Sequence, residues 1–179
     1  MTYLTTYETP LIGTLTLTSD GDALTGCWFE HDRFAQVRHE GEFEHDEGLA
    51  VFSAAREWLD RYFAGERPDP MGLSLNPQGT AFRQRVWRIL LEIPYGQTWT
   101  YGDIAKRMEA DSGKKMSAQA VGGAVGHNPI GIIIPCHRVM GAKGNLTGFG
   151  GGIDAKVKLL EHEDVDMGGF FVPKKGTAL

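Results

Sequence analysis

Cys136 and His137 stand side by side in the run Pro135-Cys136-His137-Arg138-Val139. A thiol is a strong nucleophile only as the thiolate, and an imidazole within reach can take its proton. The pair follows an unbroken apolar run, Ile132-Ile133-Ile134, closed by Pro135. Such a run reads as a short buried strand that delivers the thiol to the end of a rigid element, where a pocket can form. The competing reading of a Cys-His dipeptide is an inert buried cysteine beside a surface histidine. Further along, Glu161-His162-Glu163 offers a carboxylate that could fold back to orient His137, or an ordinary solvated helix end.

The elements around the pair divide into two modules, residues 1–78 and 79–179. Thr14-Leu15-Thr16-Leu17-Thr18 alternates cleanly, and Ser19-Asp20-Gly21-Asp22 is a turn into a further strand, Leu24 to Phe29. Glu30 to Gly48 is acidic and polar, a loop. Val51, Phe52, Ala55, Trp58, Leu59, Tyr62 and Phe63 share one helical face. Gly65 to Pro77, with three prolines and two glycines, is a linker. Thr80 then caps a helix through Leu91, Thr100 caps one from Tyr101 to Met108, and Ser117 caps one to about Gly126. A last helix runs from Ile153 to about Glu163, with Val157, Leu159 and Leu160 inward. The fold class is α+β: a small β-rich N-terminal domain with one helix, then a mostly helical domain containing a helix-turn-helix.

The helix after Ser117 is nearly all small residues, Ala118-Gln119-Ala120-Val121-Gly122-Gly123-Ala124. Glycine inside a helix costs about 1 kcal/mol against alanine, so close approach to another body or to a neighbouring helix must compensate. Such a bare helix is too thin to read a major groove with long side chains and suits a minor groove. Charge follows the same division. Residues 1–78 carry 5 Arg and 14 Asp+Glu, net −9, and residues 79–179 carry 13 Lys+Arg and 9 Asp+Glu, net +4. Either the C-terminal half meets a polyanion or surface charge is unevenly scattered. Two cysteines and no secretory signal point to the cytoplasm, and no stretch has the length of a membrane span.

Gly123-Ala124-Val125-Gly126-His127-Asn128-Pro129 followed by Ile132 to Val139 resembles the active-site segment of the O6-alkylguanine-DNA alkyltransferases. The resemblance extends from about Gly79 to Glu163 and includes Thr98-Trp99-Thr100-Tyr101-Gly102 and the loop Leu146 to Gly152. It implies a single-turnover repair protein that moves an alkyl group from O6-alkylguanine in duplex DNA, with O4-alkylthymine left open beside it, to its own cysteine. The damaged base would be flipped out from a DNA held through its minor groove. By the match Cys136 is the acceptor, His137 draws off the thiol proton through a water, Glu163 holds His137, and Asn128 shapes the turn beside the thiol. Tyr101 presses on the phosphate of the flipped nucleotide and lines the pocket with Val139 and Phe149. Ser117, Ala118, Gln119, Ala120, Gly122 and Arg138 face DNA.

Two positions depart from the commoner family pattern. Gln119 stands where many members insert an arginine into the vacated stack, and Phe149 where many have a tyrosine above the guanine. Rate and substrate range turn on them. Cys27, His31, His39 and His45 include no paired cysteines, so no zinc is expected. No phosphate loop or dinucleotide fingerprint is present, so no cofactor is expected, and the protein is expected to be a monomer. A DNA-binding regulator and a thiol hydrolase are the other two classes. The first would tolerate loss of Cys136, and the second would turn over through an acyl-enzyme.

Overall fold

The computed structural model describes residues 1–32 and 42–173. They form two compact units, residues 1–78 with 129–133, and residues 79–128 with 134–179. Part of the acidic loop and His39 lie outside the described residues.

The first unit is a four-stranded sheet in the order β3-β2-β1-β4, with β1 Thr2–Glu8, β2 Thr14–Ser19, β3 Leu24–Phe29 and β4 Phe43–His45. β1, β2 and β3 run antiparallel to their neighbours, and β4 joins β1 in parallel. The alternation in β2 buries Leu15 and Leu17 completely. The turn after it is tied by the Asp20 carboxylate, which accepts from the amides of Asp22 and Ala23 at 3.0 and 2.8 Å. Helix α1, Ala50–Phe63, turns Phe52, Ala55, Trp58, Leu59 and Tyr62 inward against β2 and β3.

Two stretches differ from their sequence reading. The proline-rich linker is pinned along β3: the Leu24 amide donates to the Ser74 carbonyl and the Asn76 amide to the Leu24 carbonyl, both at 2.8 Å. The isoleucine run is no strand. Ile130 bridges Cys27, with the Cys27 amide on the Pro129 carbonyl at 2.9 Å and the Gly131 amide on the Cys27 carbonyl at 3.0 Å. The chain then turns tightly, with the Ile133 amide on the Gly131 carbonyl at 2.8 Å and Ile132 at φ 67°. A β-branched residue in that region is strained, and it persists because its surroundings over-determine it. Ile130, Ile132, Ile133 and Ile134 are all within 1% of full burial, and continuous burial produces an apolar run whether the backbone is extended or turned.

The second unit is helical. Helix α2, Ala81–Leu90, starts at Thr80, whose hydroxyl accepts from the Arg83 amide at 3.3 Å. Helix α3, Tyr101–Ser112, starts with a capping box: the Thr100 amide donates to the Asp103 carboxylate at 2.8 Å and the Asp103 amide to the Thr100 hydroxyl at 3.1 Å. It runs one turn past the expected end at Met108, and Gly113, at φ 68°, ends it as a left-handed C-cap. Helix α4, Ala118–Gly126, is capped by Ser117, which accepts from the Ala120 amide at 3.2 Å. These three helices pack on one another, and the Trp87 indole donates to the Ala124 carbonyl at 2.9 Å inside the packing. Strands β5, Trp99–Thr100, and β6, Val139–Met140, pair in parallel, and helix α5, Ile153–His162, follows.

Gly131 lacks a side chain for a visible reason. A Cβ there would stand 2.6 Å from the Phe29 ring. Gly131→Ala is expected to lower stability by about 1–3 kcal/mol through overpacking, read as a drop in the denaturant midpoint, whereas Gly123→Ala, where a Cβ meets nothing, should not destabilise.

Candidate active site

Cys136 opens a single 3-10 turn, Cys136–Arg138, that leads directly into β6. Its amide donates to the Ile134 carbonyl at 2.8 Å, and the same carbonyl accepts the Asn128 side-chain amide at 2.9 Å. Asn128, just after α4, thus shares its acceptor with the amide that opens the Cys136 turn. Cys136 is 9% exposed and forms no disulfide, and Cys27 forms none either.

His137, the next residue, is fully buried. Its Nε2 lies 2.7 Å from Glu163 Oε1. Glu163 closes helix α5 as its C-cap, which sets its side chain back over the 3-10 turn. The carboxylate also takes Arg138: Nε at 2.8 Å on Oε2 and Nη2 at 2.9 Å on Oε1, a bidentate pair. The Gly96 amide adds a bond to Oε2 at 3.2 Å, and the remaining arm of Arg138 donates to the Ile93 carbonyl at 2.8 Å. The guanidinium lies over the Tyr95 ring, 5.7 Å from its centroid. The Ile93-Pro94-Tyr95-Gly96 turn that ends α2 therefore forms the outer wall of this ion cluster.

Burial alone would raise the Glu163 carboxyl. The hydrogen bond from His137 and the hydrogen bonds and charge of the Arg138 guanidinium outweigh it and hold the group well below the usual carboxylate range. Burial pushes His137 down. Glu163 pulls it up, the cations Arg138 and Lys156 push it down again, and the net direction is down. Because Arg138 already balances the carboxylate, the ring need not be charged. A neutral ring meets the 2.7 Å contact only with its proton on Nε2, which leaves the lone pair on Nδ1. Nδ1 is buried without a protein hydrogen-bond partner. The resting imidazole is thus a base with its acceptor nitrogen unused, one residue from the thiol.

Tyr101, the first residue of α3, is 8% exposed and stands near Cys136; burial pushes its phenol up, and the thiol adds to that shift. Val139 is fully buried and Phe149 half-buried in the loop before α5. Ser117, Ala118, Gln119 and Ala120 are exposed at the start of α4, while Gly122 is buried. Arg138 is the residue whose place differs most from expectation: its side chain is inside, on Glu163, and not at a DNA-facing surface. Sequence reasoning missed Lys156, a lysine with no exposure at all, whose ammonium donates to the Val139 carbonyl at 2.5 Å and the Thr147 carbonyl at 3.0 Å. Its signal was positional: Lys156, Leu159, Leu160 and Glu163 share one helical face. Among the described residues no group of three or more His, Cys, Asp or Glu is placed to hold a metal. No described helix is long and apolar enough to cross a membrane.

Residues 81–165 match the family model described as 6-O-methylguanine DNA methyltransferase, DNA binding domain, and residues 2–77 match the model described as its ribonuclease-like domain. A methylated-DNA–protein-cysteine methyltransferase of Haemophilus influenzae is 43% identical over 163 residues, 91% of this chain and 87% of that protein. One of the same name from Mycobacterium bovis is 46% identical over 166 residues, 91% and 93% of the two chains. The crystal structure of Mycobacterium tuberculosis OGT in complex with DNA matches with a TM-score of 0.78 at 45% identity, over 90% of this chain and 92% of that one. Fold and site together define a DNA-acting transferase with a cysteine nucleophile. The chain belongs to the methylated-DNA–protein-cysteine methyltransferase family, whose members repair O6-alkylguanine in DNA by moving the alkyl group irreversibly to a cysteine of their own.

The ion cluster has a pH signature. The Glu163 carboxyl lies below its ordinary 4.5, so its stabilisation is complete at neutral pH and drains as the pH falls below about 4.5. His137 lies below its ordinary 6.5, so the unfolded chain takes up that proton first as the pH falls through 6.5, which also favours unfolding. The denaturant midpoint is expected to fall from pH 7 to pH 4, because the unfolded chain takes up both protons more readily than the folded one. A midpoint that rises over that interval would contradict both assignments.

Proposed function

We propose that Cys136 is the alkyl acceptor and that His137, held by Glu163, activates it. The observation that supports this most directly is the buried His137–Glu163 contact of 2.7 Å in the residue next to the thiol. His137 Nδ1, bearing the lone pair, takes the thiol proton through a bridging water. The Cys136 sulfur then attacks the alkyl carbon in line. The sulfur–carbon bond forms as the carbon–O6 bond breaks, and the electron pair leaves on the guanine, which is protonated. The resulting thioether has no route back to a thiol, so each molecule acts once. Arg138 serves inside the protein, compensating Glu163 so that His137 stays neutral and basic.

DNA is bound through the minor groove by the face of α4 that carries Gln119. Gly123 lies one helical turn further on that face, and a Cβ there would meet nothing within the protein. Internal packing therefore does not explain its bareness, whereas a close-lying DNA backbone does. Extrusion brings the O6 substituent to Cys136 from within the stack, with Tyr101, Val139 and Phe149 around the base and Gln119 filling the gap. The protein acts as a monomer, and a cytoplasmic setting suits a thiol that must stay reduced until it meets damage.

Intact mass after incubation with O6-methylguanine DNA tests the acceptor. One added methyl group, mapped to Cys136 and lost in Cys136→Ala with lesion binding retained, is the expected result. A methyl group on Cys27, or repeated turnover, would refute it. Gln119 has its own test. Gln119→Ala should slow repair in duplex DNA by about tenfold, as a lost insertion contact of roughly 1–2 kcal/mol implies, and leave reaction with free O6-benzylguanine nearly unchanged. Equal slowing of both substrates would assign Gln119 to the fold or the pocket.

A further inference from the structure

Among the described residues Lys156 is the fully buried lysine, it lies beside the Cys136 turn, and no step above uses it. It sits in the first turns of α5, with its backbone amide on the Gly152 carbonyl at 3.1 Å. Its side chain is fully enclosed and ends on two carbonyls, Val139 at 2.5 Å and Thr147 at 3.0 Å. Val139 is the residue just past the nucleophile turn, and Thr147 is in the loop that carries Phe149. One side chain therefore joins the exit of the Cys136 turn to the loop that carries Phe149. Neither carbonyl needs a charged donor, and burying an unpaired ammonium is unfavourable by several kcal/mol. An apolar residue or a neutral donor would close the same gap without that penalty, so the charge itself calls for a function.

The charge has a partner. Lys156 and Cys136 act on each other electrostatically, burial pushing the ammonium down to about 8 and the sulfur working against that shift. At neutral pH the lysine is still mostly protonated. The helix face from Lys156 to Glu163 thus meets both sides of the 3-10 turn, with a cation on the carbonyl of Val139, which follows the turn, at one end and an anion on His137 at the other, about 10 Å apart along the axis. Tyr101 from α3 and Lys156 from α5 act on the thiol, Lys156 also acts on His137 in the turn, and Arg138 is paired with Glu163.

We propose that Lys156 is a positioning residue for alkyl transfer: it holds the Val139 and Thr147 carbonyls on either side of the pocket and supplies the positive field that favours the Cys136 thiolate. The proposal rests on the assignment of Cys136 as acceptor, yet its physical content can be read without DNA. The field also acts in the resting state. His137 is a neutral base, and removal of its proton acceptor and removal of the lysine charge are separate losses. A cation that is fixed before substrate arrives needs no rearrangement at the moment of reaction.

The test is the pH dependence of Cys136 alkylation by iodoacetamide in the DNA-free, full-length protein, with peptide mapping to count Cys27 separately. Lys156→Gln keeps a donor for the carbonyls and removes the charge, and Lys156→Arg keeps the charge. Lys156→Gln is expected to move the alkylation midpoint up by about 1–3 pH units, with Lys156→Arg within a few tenths of the parent. In methyl transfer from O6-methylguanine DNA, Lys156→Gln should be slower by about tenfold at pH 7, with the gap closing at alkaline pH as the thiol ionises unaided. A folded Lys156→Gln whose midpoint is unmoved overturns the proposal and leaves Lys156 a scaffold residue. If Lys156→Gln fails to fold, the reciprocal measurement decides. The Lys156 ammonium, followed by NMR, should titrate lower in Cys136→Ser than in the parent, and an unchanged titration overturns the proposal. Because both titrations need no DNA, a protein that failed to accept a methyl group from DNA would refute the acceptor assignment without deciding this one.

Discussion

The site depends on one buried carboxylate. Glu163 is 1% exposed and ionised, and a lone charge in that position would be strongly unfavourable. Its partners come from two stretches of chain distant from the end of α5: His137 and Arg138 from the 3-10 turn, and the Gly96 amide from the turn after α2. Removing one member of such a pair typically costs about 3–5 kcal/mol, because the other charge is left stranded. The cluster therefore fixes the turn that carries Cys136 as firmly as a packed core would. It also sets the chemistry. Arg138 supplies the compensating charge, so the imidazole is released from that duty and can wait as a neutral base.

The segment that precedes Cys136 is divided between the two units. The five residues 129–133 join the sheet unit, while Asn128 before them and Ile134 after them join the helical one. On the helical side the Asn128 amide and the Cys136 amide-to-carbonyl bond both end on Ile134. On the sheet side the same excursion is fastened to Cys27 by two backbone bonds and pressed against Phe29 at Gly131. Residues 1–78 thereby hold the segment 129–133 by backbone bonds and close packing.

Local signals in the sequence were read well where local physics decides. Thr80, Thr100 and Ser117 start helices because a hydroxyl at that position accepts an otherwise unused amide, and each does so here. The alternating threonines and leucines of β2 followed from the pleat. The failures share a different cause. The isoleucine run, Arg138 and Lys156 are governed by burial on all sides, which a linear pattern does not report. An arginine in a DNA-acting domain reads as a phosphate contact until a buried carboxylate takes it, and a lysine on a helix reads as solvated until two carbonyls and a thiol surround its end. The linker from Gly65 to Pro77 reads as free chain because its composition says nothing of the two bonds to Leu24. The resemblance to the alkyltransferases singled out Cys136, His137 and Glu163; it did not indicate which cation balances the glutamate.

The central claim is that this balance keeps His137 neutral, with its proton on Nε2 and its lone pair on Nδ1, before any DNA arrives. The direct measurement is nitrogen NMR of the histidine rings in the resting, full-length protein at pH 7, with His137 assigned by His137→Gln. The expected spectrum shows a protonated Nε2 and an unprotonated Nδ1 for His137. Two protonated nitrogens, or a proton on Nδ1 instead of Nε2, would contradict the account.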